Sequence, residues 1–170
     1  MQIKTLEVKN ISHYERGSEE TPCYNATVYI NGKKAIEVSN EGHGGMDRQS
    51  QYDGFEHSIV KQANEWCVKK FGKKSFTYQS NGGEKECTYD MDLEHVCHEE
   101  LYKWLDTKLL KKDLKKQYIF VEDGHLMGYK RTPKHNDEMF KKFFEKNHPN
   151  QKCLNFLPFD DALKLFKECA

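Results

Sequence analysis

Asn31-Gly32 constrains this chain more than any other pair of its residues. A two-residue hairpin turn of type I′ needs positive φ at both central positions, and Asn-Gly supplies it at little cost. The flanking residues suit strands. Ala26, Val28 and Ile30 share one face before the turn, and Ile36 and Val38 share one after it. Side chains alternate along a strand, so these apolar positions are expected to cover a core. Ala35 breaks the alternation on the second strand.

That strand runs into Ser39-Asn40-Glu41-Gly42-His43-Gly44-Gly45. So many glycines cannot form a strand interior, because each removes side-chain packing and adds unfolded-state entropy. The stretch reads either as tight turns or as a place where backbone must approach something else closely. Ser39 to Tyr52 is also longer than the roughly 2–6 residues of an ordinary strand-to-helix connection. The binding residues expected here are Asn40, Gly42, His43, Gly44, Gly45, Asp47 and Arg48, presented on a scaffold made by the hairpin. Consecutive N–H groups in Gly42 to Gly45 could form a nest for a phosphate or carboxylate. The stretch matches neither a P-loop nor a dinucleotide fingerprint.

The chain before the hairpin reads as a strand within residues 2–14, so the first third is expected to be a three-stranded antiparallel meander. From Asp53 the period becomes helical. Phe55, Ile59, Ala63, Trp66, Cys67 and Phe71 predict a helix over 54–71, with Asp53 as N-cap and Gly72 as the stop. Phe76-Thr77-Tyr78 suits a short strand and Ser80 to Glu86 a turn or a mobile loop. Asp92 caps a second predicted helix over 92–110, with Leu93, Val96, Cys97, Leu101, Trp104, Leu105 and Leu109 as its apolar stripe. Trp104 is the expected core anchor of that stripe. Asp123-Gly124 marks a second hairpin, from Tyr118–Val121 to Leu126–Tyr129. Arg131 to His135 reads as a loop. Two short helices follow, over about 136–146 and from Pro158 through Phe166. The class expected is α+β, one domain over residues 1–170, with a small, mainly antiparallel sheet covered by the two main helices.

Composition limits the function classes. Lys+Arg and Asp+Glu number 27 each, so the formal net charge is zero. Strong non-specific nucleic-acid binding needs a basic footprint and is disfavoured. A local patch is available where Lys108, Lys111, Lys112, Lys115 and Lys116 recur at helical spacing. Six cysteines, Cys23, Cys67, Cys87, Cys97, Cys153 and Cys169, form no C-x-x-C pair and are scattered. Met1-Gln2-Ile3-Lys4 reads as a strand start without the apolar run of a secretion signal. Reduced thiols in a cytoplasmic protein are therefore expected. No apolar run approaches a membrane span.

Candidate chemistry is sparse. His43, Asp47, Asp53 and His57 carry donors suited to a divalent metal. Cys87, His95, Cys97 and His98 fit no zinc spacing, and Cys97 lies on an apolar stripe. No nucleophile motif is present.

Three stretches together resemble a known group: S-N-E-G-H-G-G after the hairpin, K-K-D-L-K-K-x-Y-I-F-V-x-D-G, and the ending L-N-F-L-P-F-D-D-A-L. The combination is similar to a group of small, functionally uncharacterised proteins carried by bacteriophages and other mobile elements. The resemblance brings no catalytic residue. It implies a counter-defence or accessory protein in the host cytoplasm. The function expected is non-enzymatic binding, with no cofactor, of a host protein or a small anionic ligand. The alternatives are a metal-dependent hydrolase or nuclease using His43 and Asp47, and a nucleic-acid binder or mimic.

Overall fold

The computed structural model describes residues 1–132 and 136–169. The expected α+β class is what the chain adopts. It divides into two compact units, residues 1–102 and 103–170.

The first unit is built on a four-stranded antiparallel meander in the order β1 Leu6–His13, β2 Tyr24–Ile30, β3 Lys33–Asn40 and β4 Arg48–Gln51. Asn31 and Gly32 have φ of 51° and 79°, the pair of positive angles a type I′ turn requires. Bulges explain the imperfect alternation. Lys9 pairs with Thr27 but Ser12 with Asn25, so the buried parity shifts between Val8 and Ile11. Val28 pairs with Ile36 but Tyr29 with Lys34, which leaves Ala35 as the extra residue, and both Ala35 and Ile36 are buried. The fourth strand, Arg-Gln-Ser-Gln, extends the expected three-stranded meander. It pairs Ile36–Ser39 with Arg48–Gln51 and shortens the supposed strand-to-helix connection to Glu41–Asp47.

Helix α1 spans Ile59–Phe71 and buries Ile59, Ala63 and Cys67. It starts later than residue 54. Ser58 precedes it without a side-chain cap, so Asp53 is not the N-cap. Gly72, at φ 73°, ends it as expected. The next sixteen strand residues form a hairpin of their own, β5 Lys73–Ser80 and β6 Gly83–Asp90. Of Ser80–Glu86, expected as a turn or a mobile loop, residues 81–82 are the turn and strand resumes at Gly83. Gly72 O accepts from Met91 N at 2.9 Å and closes the hairpin's base.

Helix α2, Leu93–Lys116, runs past its expected end and crosses the division between the units. Asp92 caps it, its Oδ1 accepting from His95 N at 3.0 Å. Leu93, Val96, Cys97 and Leu101 are buried, as the stripe predicted. Further along the stripe shifts. Leu110 is buried and Leu109 is exposed. Trp104 is half-buried rather than a core anchor, with Lys108 Nζ 4.5 Å from its ring centroid. Lys108 to Lys116 stay helical, and all five lysines are exposed.

The second unit holds the hairpin β7 Gln117–Glu122 and β8 His125–Lys130, turning on Asp123 and Gly124 at φ 49° and 78°. Strand β7 is apolar from Tyr118 to Val121 because both its faces are covered. Ile119 packs with Leu110, Leu154, Ala162, Leu163 and Phe166. Tyr118 and Phe120 pack with Phe140, Phe144 and Cys153. Tyr118 stacks on Phe140 with centroids 3.7 Å apart. Apart from Leu110 of α2, these partners come from α3 Asp137–Asn147, α4 Phe159–Cys169 and Cys153 with the short 3-10 turn Leu154–Phe156. Asn136 caps α3 by accepting from Met139 N. The supposed Arg131–His135 loop lies partly outside the described residues. All six cysteines are unpaired, and Cys67, Cys97 and Cys153 are buried. No helix among the described residues is long and apolar enough to cross a membrane.

Candidate functional site

The residues expected to bind fall into two groups. His43, Gly45 and Arg48 are exposed, whereas Asn40, Gly42 and Asp47 are buried and Gly44 is half-buried. The inward-facing group holds the first unit together. Asn40 Oδ1 accepts from Thr21 Oγ1 at 2.7 Å and from Gly42 N at 2.9 Å. Its Nδ2 donates to Gly45 O at 3.3 Å and to Asp47 Oδ1 at 3.1 Å. Gly42 O accepts from the backbone N–H groups of Glu19, Glu20 and Thr21 at 3.0, 2.9 and 3.3 Å. The glycine stretch is therefore clasped against residues 17–21.

Gly42 is required by that clasp, where backbone meets backbone, whereas at Gly44 the neighbour is the movable end of a side chain. A Cβ on Gly42 would lie 1.9 Å from Gly17 O, and one on Gly44 would lie 2.5 Å from Glu20 Oε2. Gly42, Gly44 and Gly45 have φ near the left-handed region at 91°, 89° and 87°. The nest expected for an anion is partly spent internally, because Gly42 N donates to Asn40 and Gly44 N donates to Thr21 Oγ1 at 3.2 Å. His43 Nδ1 sits 3.2 Å from Glu19 Oε2 at the surface.

Asp47, expected at the surface, has a wholly buried side chain. Tyr24 OH donates to Oδ2, and Oδ1 accepts from Asn40 and from His98 Nε2 at 3.3 Å. The Tyr24 and His98 rings meet edge to face at 5.8 Å. Strand β2, the end of β3, the loop before β4 and the second turn of α2 thus converge on one carboxylate. Glu94 and His98 lie four apart on α2 and so share one face.

No protein-family model, curated protein or solved structure matches this chain.

The metal set expected from sequence does not assemble. Among the described residues the group that could hold an ion is Asp47, Glu94 and His98, whose donor atoms all lie within 4.8 Å of one another. His43 pairs with Glu19 instead, and His57 Nδ1 is 2.6 Å from Gln51 Nε2. Cys87 is exposed on β6 while Cys97 is buried, and burial pushes the Cys97 thiol well up. Sequence reasoning misses Tyr24, Glu94 and His98 as partners of Asp47. The legible signal for two of them is the polar i, i+4 pair beside the apolar stripe of α2.

The charges in this cluster are coupled. Burial works against the Asp47 carboxylate, but hydrogen bonds from His98, Tyr24 and Asn40 outweigh it and hold the pKa below the usual aspartate range. His98 is raised, first by its bond to Asp47, with burial opposing and the Asp47, Glu94 and Asp92 charges adding. Burial, then the bond to Asp47, drives Tyr24 upward, so it stays a neutral donor.

Stability follows with definite signs. Asp47 contributes above its unfolded pKa of about 3.9 and loses that contribution as pH falls through the depressed native value. His98 contributes fully below its unfolded pKa of about 6.5 and loses that contribution as pH rises through the raised native value. In chelator-treated protein, the melting-temperature gap between wild type and His98→Gln should be widest between about pH 4 and 6.5 and should shrink toward pH 9. An equal gap at pH 6 and pH 9 would show that His98 carries no native charge.

Proposed function

We propose that this chain is a non-enzymatic binding protein that presents the β5–β6 hairpin to a protein partner. One observation carries the reading. From Lys73 to Asp90 every residue is exposed except the half-buried Ser80 and Tyr89. A lone two-stranded hairpin is at best marginally stable in water. This one pairs with no further strand among the described residues. It is anchored near its base, where Tyr89 stacks on His95 at 4.5 Å and Lys74 pairs with Glu99.

Its two faces differ. Lys73, Ser75, Thr77 and Gln79 face the same way as Glu84, Glu86, Thr88 and Asp90, so that side is polar. The opposite face carries Phe76, Tyr78 and Tyr89, with Phe76 6.0 Å from Tyr78 and 6.1 Å from Tyr89. Phe76 and Tyr78 are 52% and 46% exposed, so they add little to the core of the first unit. Aromatic side chains concentrate at the centres of protein interfaces, and an unpaired strand edge offers main-chain hydrogen bonds to an added strand. The resemblance to phage and mobile-element proteins makes a bacterial host factor the partner to test first.

The Asp47 carboxylate is held inside the fold rather than at the surface, so the binding reading rests on the hairpin. Tyr24, Asn40 and His98 already occupy the Asp47 carboxylate oxygens. The exposed lysines of α2 keep a nucleic-acid reading open to a salt-dependent binding assay.

Immobilised protein exposed to bacterial lysate tests the proposal. Wild type and the His43→Ala/Arg48→Ala variant should retain the same host protein, and Phe76→Ser/Tyr78→Ser should lose it. Retention by the hairpin variant with loss by the loop variant would move the binding surface to the glycine stretch.

A further inference from the structure

We infer that Asp47, Glu94 and His98 form a site for a divalent first-row transition metal ion, for which Zn²⁺ is the probe. The inference is independent of the hairpin and goes beyond the binding role proposed above. It rests on donor chemistry, spacing and an unmet carboxylate.

The donor set is one imidazole nitrogen and two carboxylates, the mixture that zinc and its neighbours accept. All three donor atoms lie within 4.8 Å of one another. Asp47 Oδ1 and His98 Nε2 are 3.3 Å apart. Zinc bonds to such donors run about 2.0–2.2 Å, and tetrahedral coordination then sets neighbouring donors about 3.3–3.6 Å apart. The observed separation therefore admits an ion between the two atoms, with the Nε2 proton released to solvent as the ion binds.

Glu94 supplies the second observation. It is half-buried in the first turn of α2 and has no hydrogen-bond or ion-pair partner among the described residues. One of its carboxylate oxygens lies within 4.8 Å of the Asp47 and His98 donor atoms. Two carboxylates thus converge on one imidazole. A divalent cation would balance both.

The surroundings resemble the outer shell of a metal centre. Tyr24 OH fixes Asp47 through Oδ2, and Asn40 Nδ2 holds it from the side of the glycine stretch. Such partners orient a metal-ligating carboxylate. Asp47 is sealed, but the His98 side chain is 27% exposed, so an ion can enter from the α2 side. Three protein donors would leave a position for water, the pattern of an open site rather than a closed structural one.

The test is calorimetric titration of chelator-stripped full-length protein with Zn²⁺ in non-coordinating buffer, paired with melting curves. One Zn²⁺ should bind per chain and raise the melting temperature. Glu94→Gln keeps the side chain's shape and should weaken binding by more than the roughly 10–100-fold typical of losing an outer-shell partner. His98→Gln should do the same. His43→Ala, at a surface histidine outside the cluster, should bind as wild type does. Where His98→Gln fails to fold, Glu94→Gln decides. Absence of saturable binding, or unchanged affinity in Glu94→Gln, would overturn the site.

Discussion

Gly42→Ala is expected to be the most damaging small substitution in the first unit. The new methyl would sit 1.9 Å from Gly17 O, at a residue whose φ is +91°. Backbone at positions 17–21 cannot yield without breaking the three hydrogen bonds accepted by Gly42 O. Left-handed backbone costs a non-glycine residue about 1–2 kcal/mol, and forced overpacking typically adds about 1–3 kcal/mol. A loss of about 3 kcal/mol or more lowers the melting temperature by about 6–12 °C in a chain of this size. Gly45→Ala is the control. Gly45 has φ +87°, but a methyl there would meet nothing within 4 Å, so only the backbone strain applies. Equal losses in the two variants would mean that the clasp on residues 17–21 contributes nothing.

Asp47→Ala should rival it by a different route. Tyr24 OH, Asn40 Nδ2 and His98 Nε2 all lose their acceptor at once, around a side chain that is itself wholly buried. Removing one partner of a buried charged pair costs about 3–5 kcal/mol, which corresponds to a fall of about 6–20 °C here. Tyr24→Phe removes one donor and leaves the carboxylate two. Its cost should be nearer the roughly 1.5–3 kcal/mol of a single hydrogen bond to a charged group. Thermal melts at pH 6 of the two variants together separate the network from its parts. If Asp47→Ala melts within about 2 °C of wild type, less than about 1 kcal/mol on the same scale, the cluster is not holding the meander to α2.

The features legible in the sequence are those with local causes. Asn31-Gly32 and Asp123-Gly124 announce their turns because few other pairs accept two positive φ angles. Asp92, Asn136 and Gly72 mark helix ends through side-chain acceptors or missing side chains. Bulges at Asn10–Ile11 and Ala35 hide part of the alternation, since each moves the buried residues to the other parity. Strand β4 is illegible because Arg48 to Gln51 holds no apolar residue and owes its state to pairing with β3. Strand β6 is hidden for a related reason. An exposed hairpin has no buried face to impose a pattern, and Gly82-Gly83 reads as loop.

The site is only half legible. Glycines at 42, 44 and 45 point to the right stretch, but not to the direction in which it faces. Asp47 and His98 are 51 residues apart, and no spacing rule links a loop carboxylate to a helix several elements later. The aromatic face of the β5–β6 hairpin has a weak trace in Phe76 and Tyr78, which suit a strand but give no sign of remaining uncovered.

Amide hydrogen exchange on the protein, alone and with the host protein it captures, tests the hairpin's role most directly. Amides of residues 73–90 on the unpaired strand edges should exchange rapidly in the free protein and slow on binding, while residues 41–48 keep their rates. Protection confined to residues 41–48, with residues 73–90 unchanged, would contradict the proposal.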